Sequence, residues 1–129
     1  LEVAGEEDLI PTRVPKLLEL VGLSDKAESF PKQLSGGESQ RVAIARALVH
    51  NPKIIIADEA TGNLDPRNSD EIAKLLKKLN KEQGLTLIFS THDPLMVENI
   101  KPRVIRLEKG NILFDKKNCS TATAFKDLI

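Results

Sequence analysis

Tryptophan and tyrosine are absent, and four phenylalanines supply the whole aromatic content of 3%. That leaves little material for stacking the bases of single-stranded nucleic acid. An excess of one charge is missing too: 19 Lys and Arg balance 19 Asp and Glu, for a formal net charge of zero. The chain has no global electrostatic footprint for nucleic acid or anionic lipid, and no nucleic-acid partner is expected. Cys119 is the only cysteine. It excludes a disulfide within the chain and suits a reducing, cytoplasmic setting. No apolar run nears the ~18 residues of a membrane-spanning helix, and the acidic stretch 1–8 is unlike a secretory signal. Methionine occurs once, at Met96, and the first residue is Leu1; the expectation is a processed, trimmed or partial chain.

What remains is ordinary soluble material: 129 residues, 40% hydrophobic and 29% charged, enough for one domain or part of one. The stretch 1–12 is acidic and aperiodic and reads as irregular. Val14, Leu17, Leu18 and Val21 recur at helical spacing, with Gly22 as a stop. The polar stretch 23–33 reads as a connection. Ser35-Gly36-Gly37-Glu38 fits a capping box opening a helix that runs to about Val49, broken by Asn51-Pro52.

The run Ile54-Ile55-Ile56-Ala57 suits a strand buried on both faces of a parallel sheet. Asp65-Pro66 opens a helix whose inner face holds Ile72, Leu75, Leu76 and Leu79, and which Gly84 ends. Leu85–Ser90 reads as a second buried strand, Asp93-Pro94 as the start of a short helix to about Ile100. Val104–Leu107 and Ile112–Phe114 read as strands joined by a hairpin turn at 108–111. The stretch 119–129 is ambiguous. Strands alternating with helices predict an α/β layered fold.

Three polar clusters carry the chemistry. Asp58-Glu59 follows the first strand, and ligands gather at the carboxyl ends of strands in open parallel sheets. Asp58 is a candidate oxygen ligand for Mg2+, and Glu59 could polarise a water. The plainer reading is a solvated strand-to-loop junction. Ser90-Thr91-His92-Asp93 ends the next strand, where His92 could donate to a phosphate oxygen; a surface histidine is the plainer reading. Ser35-Gly36-Gly37 combines a hydroxyl, close backbone approach and a helix N-terminus suited to anions. A capping turn explains it equally well in isolation. Gly62-Asn63-Leu64-Asp65 is a turn with a helix cap.

Taken together, these pieces resemble an ATP-binding-cassette (ABC) ATPase over about residues 13–115. LSGGESQ (34–40), followed by RVAIARAL (41–48), is similar to the signature motif. IIIADE (54–59) is similar to Walker B with its catalytic glutamate. GNLD (62–65) resembles the D-loop, and His92 the switch histidine. The wording TGNLD and STHDP looks like the lipoprotein-release and macrolide-export branch.

The resemblance implies the C-terminal part of a P-loop NTPase (RecA-like) core over 51–129, preceded by part of the helical signature subdomain over 1–50. It implies ATP and Mg2+ as ligands. Asp58 would hold the metal, Glu59 would be the general base, and His92 would contact the γ-phosphate. Ser35, Gly36 and Gly37 would bind nucleotide held by a second ATPase subunit, and Asp65 would couple the two sites. A transmembrane permease would hold the subunit at the cytoplasmic face of the membrane. Phosphoryl transfer of this kind rests on positioning and charge stabilisation.

Two departures matter. Ala60 stands where the family usually has proline. More importantly, no G-x-x-x-x-G-K-[ST] occurs anywhere in the chain, so the phosphate cradle and its lysine are lacking. The glutamine loop and the adenine-stacking aromatic are lacking as well. The expectation is a chain inactive by itself, whose partner is an N-terminal half carrying the P-loop. In the family the P-loop strand lies between the strands matching 85–90 and 104–107. A gap in the sheet is therefore expected there, with self-association, a rearranged sheet or a partner fragment as its consequence.

The alternative is a head-domain fragment of a chromosome-maintenance or DNA-repair ATPase of the SMC type. The single short helix before the signature, with no heptad run, speaks against it. A non-catalytic interaction module is disfavoured by intact Asp58, Glu59 and His92.

Overall fold

The structure, a computed structural model, describes residues 10–62 and 64–117. Helix α1 spans Ile10–Leu20 and contains Pro15. It starts earlier than the sequence suggests, within the stretch read as irregular. Pro11 falls in its first turn, where a missing N–H costs nothing, and Leu17, Leu18 and Leu20 pack onto the core. Gly22 adopts φ +71°. Its N–H donates to the Glu19 carbonyl (3.0 Å), and the Leu23 N–H donates to the Leu18 carbonyl (2.8 Å). This is the reciprocal pair of a glycine-terminated helix, and it turns buried Leu23 inward. The connection at 23–33 holds two short 3-10 turns, Ser24–Lys26 and Pro31–Gln33.

Helix α2 (Gly36–Leu48) is capped by Ser35. It is followed by strand β1 (Ile54–Asp58), helix α3 (Pro66–Gln83) and strand β2 (Thr86–Ser90). Strands β1 and β2 pair in parallel, Ile54 opposite Thr86 through Asp58 opposite Ser90. Asp65 starts α3, and Gly84, at φ 65°, ends it. Ser69, Ile72, Ala73, Leu76 and Leu79 form the buried stripe of α3. Its apolar members meet Ile44 and Leu48 of α2, Ile55 of β1, and Leu85 and Met96 in the main core.

The two strands are covered on one face only, which corrects the expectation of strands buried on both. Side chains alternate across a strand. Ile55, Leu87 and Phe89 turn to the core, whereas Ile54, Ile56 and Ile88 are exposed, Ile56 by 76%. The core packs against one face of the pair, so only alternate residues of each apolar run are covered.

Helix α4 (Pro94–Ile100) leads into strands β3 (Val104–Glu108) and β4 (Asn111–Lys116), an antiparallel hairpin in a sheet of its own. Lys109 (φ 47°) and Gly110 (φ 80°) make its turn, the left-handed pair that matches strand twist. Val104 and Phe114 pack on Val97 of α4, and Arg103 Nε donates to Asp115 Oδ1 at 2.7 Å. Strand β3 is not hydrogen-bonded to β2, in keeping with the expected gap. Leu1–Asp8, Asn63 and the stretch 119–129 with Cys119 lie outside the described residues.

Candidate active site

The parallel register sets Asp58 beside Ser90 at the carboxyl end of both strands. Ser90 Oγ donates to Asp58 Oδ1 and accepts from the Glu59 N–H at 3.1 Å. One hydroxyl thus ties the two strand ends together. Glu59 has φ 45°, a left-handed conformation that side chains rarely take. Its carbonyl accepts from the Gly62 N–H at 3.0 Å, closing the turn. His92 Nδ1 lies 3.3 Å from Glu59 Oε1, with both side chains largely exposed (68% and 61%). Of the three residues expected to act together, Asp58 and Glu59 are joined through Ser90, and His92 reaches the Glu59 carboxyl.

Sequence reading gave Ser90 no role. The signal that could have found it is the strand register: in a parallel pair of equal runs, the residue opposite Asp58 is Ser90.

Ser35, Gly36, Gly37 and Asp65 form a second group where α2 and α3 begin. Ser35 and Glu38 cap each other: the Ser35 N–H donates to Glu38 Oε2 at 2.8 Å and the Glu38 N–H to Ser35 Oγ at 3.2 Å. The Ser35 N–H, then the Ser35 hydroxyl and then Lys26, hold the Glu38 carboxyl below the usual carboxylate range. Asp65 Oδ1 accepts from the N–H groups of Arg67 (3.0 Å) and Asn68 (3.1 Å). The Asn68 N–H first, then its side-chain amide, hold Asp65 low as well. A carboxylate accepting several N–H bonds favours its charged form.

The hydrogen bonds of Ser35 stay within its own cap, while Asp58 and Glu59 share theirs with Ser90 and His92 meets Glu59. The two groups are thus tied to different elements. Among the described residues no cluster of three or more His, Cys, Asp or Glu side chains could hold a metal ion unaided.

Residues 4–62 match the ABC transporter family. The chain belongs to the ABC transporter ATPase family. It is 52% identical over 117 residues to the cell division ATP-binding protein FtsE of Streptococcus pneumoniae, covering 90% of this chain and 50% of that protein. It is 52% identical over 101 residues to the methionine import ATP-binding protein MetN of Streptococcus agalactiae, covering 78% of this chain and 28% of that one. A dimeric ATP-binding cassette solved in a post-hydrolysis state, bound to ADP and Pi, superposes with a TM-score of 0.69 at 42% identity. The match covers 84% of this chain and 47% of the cassette. The α/β fold is that of ABC cassettes. The chain spans about half the length of FtsE from S. pneumoniae. These relatives are ATP-binding cassettes rather than chromosome-maintenance heads, and nothing among them favours the SMC alternative. No described helix is long and apolar enough to cross a membrane.

Proposed function

We propose that these residues are the C-terminal portion of the nucleotide-binding subunit of an ABC transporter, which hydrolyses ATP to drive transport. The observation that carries this reading is the Ser90 hydroxyl joining Asp58 to the Glu59 backbone at the ends of two parallel strands. Family membership supports it.

The residues fit Mg2+ in the manner usual for nucleotide sites. Ser90 engages Asp58 through Oδ1, which leaves Oδ2 for a cation that takes one or two carboxylates and completes its shell with water and phosphate. Bound there, Mg2+ would offset charge on the phosphate oxygens. Glu59 accepts a proton from water as the water oxygen bonds to the γ-phosphorus and the bond to the β-phosphate oxygen breaks, releasing ADP. His92 orients the γ-phosphate by donating to one of its oxygens. Ser35, Gly36 and Gly37 meet nucleotide held by a second subunit, and Asp65 couples the two sites across that dimer.

The division into a helical part (1–50) and a core part (51–129) belongs to the same proposal. So do a transmembrane permease as partner, a cytoplasmic location at the membrane surface, and the lipoprotein-release and macrolide-export branch. The P-loop must be supplied by sequence outside these 129 residues, and the 129-residue chain alone is expected to be inactive.

The test is ATP turnover by the native polypeptide that contains this chain. It should hydrolyse ATP in Mg2+. Glu59→Gln, which keeps shape and removes the base, should lower kcat by about 10^2–10^4-fold while ATP is still bound. Unchanged turnover in Glu59→Gln would refute the assignment.

A further inference from the structure

We propose that Asn68 is a positioning residue that links the Gly36-Gly37 helix start to Asp65, so that contact of α2 with the neighbouring subunit's nucleotide is felt at the Asp65 carboxylate. The inference rests on the nucleotide-site reading given above.

Gly37 is buried, and its glycine is not required by the backbone. Among the described residues the glycines with positive φ are Gly22, Gly84 and Gly110. What Gly37 requires is room. A Cβ placed on it would stand 2.3 Å from Asn68 Oδ1, 2.8 Å from Asn68 Cγ and 3.3 Å from Asn68 Cβ. The Asn68 amide cannot simply turn aside. Its Nδ2 donates to Asp65 Oδ2, and its backbone N–H donates to Asp65 Oδ1. A carboxylate offers only acceptors, so the amide is fixed with Nδ2 toward Asp65 and Oδ1 toward Gly37.

One side chain therefore spans the two helix starts, with no slack for a methyl group at one end and a charged hydrogen bond at the other. A second tie lies one turn further along. Arg41 Nη1 of α2 donates to Glu71 Oε2 of α3 at 2.6 Å, and Arg67 Nε lies 3.6 Å from Glu71 Oε1. Together these contacts make the two helix starts move as one body. A displacement of Gly37 must carry Asn68 with it, and Asn68 carries Asp65.

The experiment measures steady-state ATP hydrolysis and thermal melting of the native polypeptide containing this chain. The variants are Asn68→Ala, Gly37→Ala and the double substitution. Asn68→Ala should lower kcat about tenfold, as misplacement of a positioned group does. KM for ATP should stay within about twofold, and melting should change little, as is usual for a substitution outside the core. Gly37→Ala should be more damaging, because its methyl group drives the amide off Asp65. With the amide gone the methyl group meets only the residue-68 Cβ, at 3.3 Å, so the double variant should be more active than Gly37→Ala and should lose less than the product of the two single losses.

A double variant whose losses multiply, or which stays as inactive as Gly37→Ala, overturns the proposal. So does an Asn68→Ala variant with unchanged kcat, or one whose lost activity follows lost stability. A wild-type polypeptide without ATPase activity is a different outcome, since it overturns the nucleotide-site reading itself.

Discussion

Removal of the Ser90 hydroxyl tests the site most directly. Ser90→Ala deletes one donor, to Asp58, and one acceptor, for the Glu59 N–H. Each such bond is worth about 0.5–1.5 kcal/mol net, and the exposed setting places both near the lower end. A loss of about 1 kcal/mol in all corresponds to a melting-temperature drop of about 3–5 °C for a chain of this size. The functional effect follows from the Glu59 backbone. A side-chain-bearing residue in the left-handed region is held at a cost of about 1–3 kcal/mol, and the Ser90 bond is part of what holds it. Losing about 0.5 kcal/mol of that support, the share of the one bond to the Glu59 N–H, lowers the ratio of the held conformer to its alternatives about twofold. The kcat of the native polypeptide should fall by a similar factor. Ser90→Thr keeps the hydroxyl and should stay close to wild type. Equal impairment of the Ala and Thr variants, or an Ala variant with unaltered kcat, would show that the hydroxyl does not position Glu59.

Other consequences can be checked with less effort. Leu76 is fully enclosed in the main core, and Leu76→Ala should cost about 2–5 kcal/mol through lost burial and the cavity left behind, readable by chemical denaturation. The Glu38 and Asp65 carboxyls are held below their ordinary range by the helix starts they cap. Groups lowered in the folded state contribute stability that is complete above the ordinary carboxylate range and is lost as pH falls through the folded values. Acid melting curves of Glu38→Gln and Asp65→Asn should therefore converge on the wild type at low pH and separate from it near neutrality.

Much of this arrangement can be read from residue patterns, because the deciding interactions are local. The Ser35–Glu38 cap, the Asp65-Pro66 start and the Gly22 and Gly84 stops each depend on a few neighbouring residues, and each is where the sequence places it. The hairpin turn at Lys109-Gly110 is legible for the same reason, although its strands extend further, to Glu108 and from Asn111. Two features escaped because they are not local. Ser90 acquires its role only when β2 is laid beside β1 in one particular register, 32 residues from its hydrogen-bond partner. The bare faces of Ile54, Ile56 and Ile88 depend on how many layers stand around the strands, which an apolar run does not record. The start of α1 escaped for a further reason: the stretch up to Thr12 is acidic and aperiodic, yet the apolar side chains of the following turns anchor the helix against the core.

Strand alternation gives that bare face a second meaning. Ile54, Ile56 and Asp58 project to one side of β1, and Ile88 and Ser90 to the same side of β2. The isoleucines are thus the floor that leads up to the carboxylate. Whatever is laid over Ile56 and Ile88 becomes a wall of the chemical site, excluding water from its lower rim and reducing the local dielectric. Charge interactions around Asp58 and Glu59 would then strengthen in inverse proportion to that dielectric. The side chains present fix where the charges stand, and the covering of two isoleucines sets how strongly those charges act.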